Sequence, residues 1–203
     1  MITIIDYGMG NLGSVQNMFK RIGVQTEISG DATVIAQAKK IVLPGVGAFD
    51  SAMQKIADSG LIEVLNQKAL VVKVPVLGIC LGMQLLTNGS EEGNLPGLGW
   101  VDAQTVKFKF EPDTKLKIPH MGWNRIYPQK QYSLLDNLPT EPRFYFVHSY
   151  HVQCNNLGDV LATTSFGGDF HSMLQHENIY GAQFHPEKSH KFGMKLLKNF
   201  AEL

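Results

Sequence analysis

Two widely separated segments carry residues whose types and spacing can do chemistry. The first is Val76-Leu77-Gly78-Ile79-Cys80-Leu81-Gly82-Met83-Gln84, an apolar run of strand character that ends in Gly-x-Cys-x-Gly and passes into a helical pattern of Leu81, Gln84 and Leu85. This is the sequence form of a nucleophile elbow, in which two glycines permit a sharp strand-to-helix turn that lifts one reactive side chain above the sheet edge. With cysteine at the turn the nucleophile is a thiolate, and a helix N-terminus favours that anion through its free N–H groups and macrodipole. The second segment is Phe184-His185-Pro186-Glu187. It supplies what such a thiol needs: a base in His185 and an acid in Glu187 to orient it. A lone cysteine is more often a small core hydrophobe. The glycine frame and the distant His-Pro-Glu together outweigh that reading.

An elbow needs a sheet behind it, and the first half of the chain provides the pattern for one. Ile2–Asp6 reads as a strand, and Gly13–Gly23 as a helix with Val15, Met18, Phe19 and Ile22 at helical spacing. Val24–Ser29 is a second strand, Ala32–Ala38 a short helix, and Lys40–Leu43 a third strand ended by Pro44-Gly45-Val46-Gly47. Helices are expected over Ala48–Asp58 and Leu61–Lys68, ahead of the Val74–Ile79 strand. This order implies a mostly parallel sheet with right-handed crossovers. Beyond Gly89, glycine and proline punctuate short apolar runs: Thr105–Phe110, Phe144–Ser149, His151–Cys154, Val160–Thr164, His171–Gln175 and Tyr180–Phe184. These read as antiparallel strands beside the parallel core. Lys188–Leu203 closes the chain as a helix with Phe192, Leu196, Leu197 and Phe200 on one face. The expected fold class is α/β, a central mostly parallel sheet flanked by helices with an added antiparallel β region. With no repeat, low-complexity tract or linker, residues 1–203 are expected to form one domain.

Composition narrows the function classes. The chain has 203 residues, enough for one substantial core, and its 18 Lys+Arg balance 18 Asp+Glu. Without a polybasic run, neither nucleic acid nor a membrane surface is expected as a partner. Met1-Ile-Thr-Ile-Ile-Asp6 reaches an acid after a few apolar residues, so it is expected to be a strand rather than a signal peptide or spanning helix. Only Cys80 and Cys154 occur, which excludes a disulfide scaffold and leads us to expect a cytoplasmic protein. Cys154 is expected to be structural. The seven histidines form no H-x-x-x-H pattern, and no metal or other cofactor is expected.

The elbow and His-Pro-Glu resemble those of the class I glutamine amidotransferases, triad glutaminases that release ammonia from glutamine. Asp6-Tyr7-Gly8-Met9-Gly10-Asn11, Pro44-Gly45-Val46-Gly47, Ser90-Glu91-Glu92-Gly93, Pro119-His120-Met121-Gly122-Trp123-Asn124 and Phe146-Val147-His148-Ser149-Tyr150 follow in that order across nearly the whole chain. Together they are similar to the glutaminase subunits of imidazole glycerol phosphate synthases, which serve histidine biosynthesis. The Pro-His-Met-Gly-Trp-Asn and Pro-Gly-Val-Gly runs are far more specific than Gly-x-Cys-x-Gly alone.

Amide hydrolysis by a thiolate needs a nucleophile, a proton shuttle and a stabiliser for the tetrahedral oxyanion. Cys80 would attack the glutamine side-chain carbonyl, and His185 would take the thiol proton and give it to departing ammonia. Pro186 disfavours a helical backbone at His185. In an extended chain positions i and i+2 share a side, so Glu187 is expected to accept an imidazole N–H and fix the tautomer. No Asn or Gln flanks Cys80, which leaves backbone donors for the oxyanion: Leu81 N–H by the elbow geometry and, as the resemblance implies, the Gly45-Val46-Gly47 backbone. The glycines there tolerate a peptide flip. The resemblance further implies Gln84, Glu92, His148, Ser149 and Tyr150 as glutamine-binding residues. It sets Asn11, His120, Met121, Trp123 and Lys188 against a (β/α)-barrel cyclase subunit, giving a heterodimer through which ammonia travels. Spacing alone would leave Gln84 a polar helix position, Glu92 a solvated loop acid and His148 a satisfied structural residue.

Three other readings fit parts of the pattern, of which a non-enzymatic regulatory module with a vestigial site is disfavoured by the intact triad. A paralogous glutaminase supplying a sugar-modifying synthase of surface polysaccharide assembly would share the core chemistry and differ in its acceptor. A cysteine peptidase-like hydrolase would share the elbow, but Gln84, Glu92 and the Pro-His-Met-Gly-Trp-Asn run disfavour it.

Overall fold

In a computed structural model, residues 1–111 and 115–203 are described. The first half runs β1 (Ile2–Ile5), α1 (Leu12–Arg21), β2 (Thr26–Ser29), α2 (Ala32–Ala36), β3 (Ile41–Gly45), α3 (Phe49–Asp58), α4 (Ile62–Asn66), β4 (Val76–Cys80) and α5 (Leu81–Leu85). The second half runs β5 (Ala103–Lys107), β6 (His120–Arg125), β7 (Tyr127–Pro128), β8 (Arg143–His148), β9 (Tyr150–Cys154), β10 (Val160–Ser165), β11 (Asp169–His176), β12 (Ile179–Ala182) and α6 (His190–Glu202).

The main sheet has the order β2-β1-β3-β4-β12-β11-β10-β7. From β2 to β12 neighbouring strands are parallel, and beyond β12 they are antiparallel. Strand β9 pairs with β11 and carries β5 on its other edge. The expected α/β class holds, with one reassignment. The Tyr180–Phe184 run, expected among the antiparallel strands, contributes β12, which pairs in parallel with β4 from Ile179↔Val76 to Ala182↔Ile79. All four residues of β12 are buried, the mark of a strand covered on both faces.

The parallel strands alternate their side chains between two apolar layers. Ile5, Ile41, Leu43 and Val76 join α2, α3 and α4 on one face, while Ile4, Val42, Leu77 and Ile79 meet α1 and α6 on the other. Helix α1 buries Val15, Met18 and Phe19, its Asn11 side-chain oxygen accepts from Ser14 N–H, and Lys20 and Arg21 lie in its last turn, where cations complement the helix dipole. Helix α6 buries Phe192, Leu196, Leu197 and Phe200, the face expected from spacing. The expected Leu61–Lys68 helix ends sooner as α4 and continues as a π-helical turn over Gln67–Val71. No described helix is long and apolar enough to cross a membrane.

The His120–Asn124 segment, absent from the strands expected from the sequence, forms most of strand β6. It pairs with β8 from His120↔His148 to Arg125↔Arg143. Gly122, at φ 122°, interrupts the strand signal without interrupting the pairing. This small second sheet lies beside the C-terminal edge of the parallel strands, the end at which ligands of open α/β sheets bind.

Candidate active site

Cys80 ends β4 in register with Gly45 of β3, and the chain turns at once into α5. Its backbone sits at φ 54° and ψ −112°, a conformation costly for a residue with a Cβ. Close packing around it enforces that geometry. A Cβ at Gly78 would approach the Gly82 carbonyl oxygen to 2.6 Å, and one at Gly82 would collide with the Leu43 carbonyl oxygen. Helix α5 therefore lies directly against β3 and β4, and the thiol projects at the sheet edge.

His185 leaves the end of β12 and is tied to β8 by its N–H bond to the Tyr145 carbonyl at 2.9 Å. Its Nδ1 lies 2.7 Å from Glu187 Oε1, and the two side chains are only 3% and 2% exposed. Glu187 reaches this position from a 3-10 turn over Pro186–Lys188, not from the extended chain expected. Ser189 Oγ anchors that turn, donating to the His185 carbonyl at 2.6 Å and accepting from Tyr145 N–H at 3.0 Å. Burial opposes charge on His185, but hydrogen bonds and attraction from Cys80 and Glu187 outweigh it and raise the imidazole to about 10. The ring is therefore an imidazolium whose Nδ1–H faces Glu187, leaving Nε2–H for Cys80.

Val46, Gly47, Cys80, Leu81, Gln84, Glu92, Pro119, Val147, His148, Ser149, Tyr150, His185 and Lys188 enclose a cavity of about 390 Å³. Its size suits a small polar metabolite. Leu81 opens α5, so its N–H is among those a helix leaves free. Gly47 has φ 104°, the left-handed region that glycine tolerates. Gly45 does not share that conformation and is not among the residues that line the cavity. Its lack of a side chain serves packing instead, since a Cβ there would come 2.6 Å from Tyr7 Oη. Tyr7, which sequence reasoning passed over, donates from Oη to the Pro44 carbonyl at 2.8 Å. Burial and then the neighbouring Cys80 raise its phenol well above the ordinary range, so it stays a donor.

Gln84 Nε2 donates to the Tyr150 carbonyl at 3.0 Å and to Gln183 Oε1 at 3.1 Å. Glu92 accepts the Phe49 N–H at 2.9 Å while lining the cavity. His148 is buried beside it, and burial pushes its imidazole down to about 3. The residues expected at a partner surface divide. Met121 and Trp123 are 63% and 47% exposed, and Asn11 and Lys188 are also exposed. His120 is buried, with Nδ1 2.9 Å from His148 Nε2, so its side chain faces the cavity wall rather than the surface. Alternation along β6 turns it inward and its neighbour Met121 outward. Cys154 is buried far from these groups in β9, its thiol pushed up to about 12 chiefly by burial.

A family model of class-I glutamine amidotransferases matches residues 3–203. The chain belongs to that family. Its relatives include an imidazole glycerol phosphate synthase subunit HisH 2 of Methanococcus maripaludis, 56% identical over 98% of both chains. Another, also named HisH 2, is from Pseudomonas aeruginosa, 48% identical over the whole of both. Among solved amidotransferase folds, a protein of Thermoplasma acidophilum described as belonging to GMP synthase superposes with a TM-score of 0.73 at 22% identity, over 99% of this chain and 92% of that one. A further structure described as a glutamine amidotransferase gives a TM-score of 0.75 at 15% identity, over 100% and 98%. At these identities the structural likeness speaks for the amidotransferase fold alone.

Proposed function

We propose that this chain, as one glutaminase domain, hydrolyses glutamine to glutamate and ammonia and passes the ammonia to a (β/α)-barrel cyclase subunit that makes imidazole glycerol phosphate in histidine biosynthesis. The observation that carries the reading is the Cys80-His185-Glu187 array at the mouth of a cavity lined by Gln84, Glu92, His148, Ser149 and Tyr150. Cys80 Sγ attacks the amide carbonyl, and the carbonyl oxygen takes up negative charge. Leu81 N–H and an N–H from Gly45-Val46-Gly47 receive that charge, each lowering the barrier by about 3 kcal/mol. His185 gives its Nε2 proton to the departing nitrogen, so ammonia leaves and an acyl-thioester remains. Water, deprotonated by His185, then releases glutamate, expels the sulfur as thiolate and restores the imidazolium. Glu187 holds the imidazole in the tautomer both steps need. Glu92 is suited to the substrate ammonium, and the His148-Ser149-Tyr150 backbone to its carboxylate. Asn11, Met121, Trp123 and Lys188 offer the partner-facing surface.

A second reading keeps this chemistry and changes the acceptor to a sugar-modifying synthase of surface polysaccharide assembly. The triad and its cavity are common to both readings, which differ only in the acceptor. One experiment separates the readings. The chain is reconstituted with the cyclase, and glutamine-dependent formation of imidazole glycerol phosphate is measured for wild type and Cys80→Ala. The histidine-pathway reading expects product from glutamine with wild type only, and from added ammonium salts with both. Glutamine hydrolysis without transfer to the cyclase acceptor would favour the second reading, and retained hydrolysis by Cys80→Ala would overturn both.

A further inference from the structure

Gln183 is the most deeply buried polar residue near the nucleophile and has no place in the mechanism above. It follows β12 directly, two positions before His185, and is fully buried at 0% exposure. A primary amide removed from water is costly unless both ends are bonded. Both ends have partners here. Oε1 accepts from Gln84 Nε2 at 3.1 Å, and Nε2 points at Cys80 Sγ from 3.9 Å, the outer reach of an N–H···S contact.

The orientation of this pair is fixed by chemistry. The Tyr150 carbonyl can only accept, so the group of Gln84 that faces it at 3.0 Å must be the NH2. The same NH2 spends its other proton on Gln183 Oε1. Gln183 must then turn its own NH2 toward Cys80, because a flip would set two NH2 groups together and aim a carbonyl oxygen at the sulfur. Two things follow. Gln84 is held with Oε1 directed away from both acceptors and available to N–H donors in the cavity it lines. Cys80 Sγ receives an amide N–H, a contact that strengthens as negative charge gathers on the sulfur during attack.

We propose that Gln183 is a positioning residue of the glutaminase reaction, locking the Gln84 amide in its substrate-accepting orientation with one end and steadying the Cys80 thiolate with the other. This inference rests on the reading of Cys80 as nucleophile and Gln84 as a substrate contact. It assigns Gln183 two separable effects, one on binding through Gln84 and one on the thiol.

The test uses Gln183→Met, which conserves length and roughly conserves volume but bonds to neither partner, with Gln84→Met and the double variant. Turnover and KM are measured in the complex with the barrel subunit. On the chain itself, the pH dependence of Cys80 alkylation by iodoacetamide is followed by mass spectrometry. Gln183→Met is expected to lower kcat about threefold, less than the full share of a hydrogen bond to a charged acceptor because the contact is long. It is expected to raise KM about fivefold, the share of a neutral one. The alkylation midpoint should move up by about half a pH unit, the equivalent of that threefold. In the Gln84→Met background the KM effect of Gln183→Met should vanish while the alkylation shift persists, because only the first passes through Gln84. A merely structural role would lower the active fraction and move neither the midpoint nor the coupling. If the variant does not fold, the wild-type side-chain amide resonance of Gln183 provides the readout, since it should titrate with the alkylation midpoint. An unmoved midpoint, or an amide signal blind to Cys80, overturns the thiol half. Additive KM effects overturn the Gln84 half. Full glutaminase turnover in Cys80→Ala would sink the underlying reading instead, whatever Gln183 does.

Discussion

His120 Nδ1 lies 2.9 Å from His148 Nε2, and the surrounding atoms fix every proton in the pair. The Tyr150 carbonyl, 2.8 Å from His148 Nδ1, can only accept, so that nitrogen carries the proton and His148 Nε2 is bare. His120 must then donate from Nδ1, which leaves its Nε2 to accept from Asn124 Nδ2 at 3.2 Å. Both rings are neutral, and burial pushes them down to about 4 for His120 and about 3 for His148. The relay joins β6, whose other face carries Trp123, to the Tyr150 carbonyl that also receives Gln84.

This pair and His185 shift in opposite directions, which sets the pH dependence of stability. The unfolded chain protonates His120 and His148 near their ordinary 6.5, while the folded chain resists until about 4 and about 3. Their contribution is present above 6.5 and is lost as pH falls below it. His185 is raised to about 10, so its contribution is complete below 6.5 and is lost as pH rises toward 10. The thermal midpoint should peak near neutrality. In thermal scans across pH, His120→Phe should flatten the acid limb relative to wild type and His185→Gln the alkaline one. Parallel profiles for wild type and variants would refute the assignment.

Glu187→Gln keeps shape and hydrogen-bonding capacity but removes the charge that favours the imidazolium. Glutaminase turnover in the complex should fall by at least about tenfold, with the fold intact by circular dichroism. The alkaline limb of the rate profile should also move to lower pH, because one of the groups raising His185 is gone. Turnover near wild type would remove Glu187 from the triad.

Ammonia released without a waiting acceptor is wasted, so the isolated chain should hydrolyse glutamine at least about tenfold more slowly than the liganded complex, a floor set below the roughly hundredfold that one oxyanion donor is worth. Trp123→Ala should weaken the complex or uncouple the two reactions. Trp123 is half-exposed and stacks on His190 at 5.5 Å, so the lone chain should lose no more than about 1 kcal/mol in denaturant titration. A larger loss would assign the indole to the core.

Gly82→Ala should be far more damaging than its size implies. The added methyl has no room beside the Leu43 carbonyl oxygen, and α5 cannot retreat without moving Cys80. We expect a loss of at least about 4 kcal/mol or failure to fold, read by denaturant titration. A stable, active Gly82→Ala chain would disprove the tight elbow.

The elbow, the His-Pro-Glu run and the strand–helix alternation were legible because each is local. Gly78, Cys80 and Gly82 are close enough in sequence for turn chemistry to be read directly, and the faces of α1 and α6 follow helical spacing. What stayed hidden depends on neighbours far along the chain. Gly122 masked β6, whose partner Phe146 arrives through β8. The inward turn of His120 follows from that pairing. Glu187 was placed beside His185 for the wrong local reason, since the 3-10 turn is stabilised by Ser189, which sequence reading did not weigh. Gln183 left one signal, a polar residue closing the apolar run Tyr180-Gly181-Ala182 just before Phe184-His185, and its partners could not be named without the fold.

The Gly45-Val46-Gly47 segment is tied at both ends. Tyr7 Oη grips the Pro44 carbonyl at 2.8 Å, and Glu92 holds the Phe49 N–H at 2.9 Å. One residue further on, Asp50 accepts from Asn94 and Leu95 N–H groups at 2.9 and 3.0 Å, which binds the start of α3 to the Glu92 loop. Only Gly45–Ala48 lies between the ties. A span so short and so held cannot swing as a lid; it can turn only like a crankshaft, with opposed rotations on either side of one peptide plane and almost no travel of the flanking atoms. Silent and active states of this chain would then differ in the direction of a single dipole, and a measurement sensitive to bond-vector orientation would distinguish them where one sensitive to distance would not.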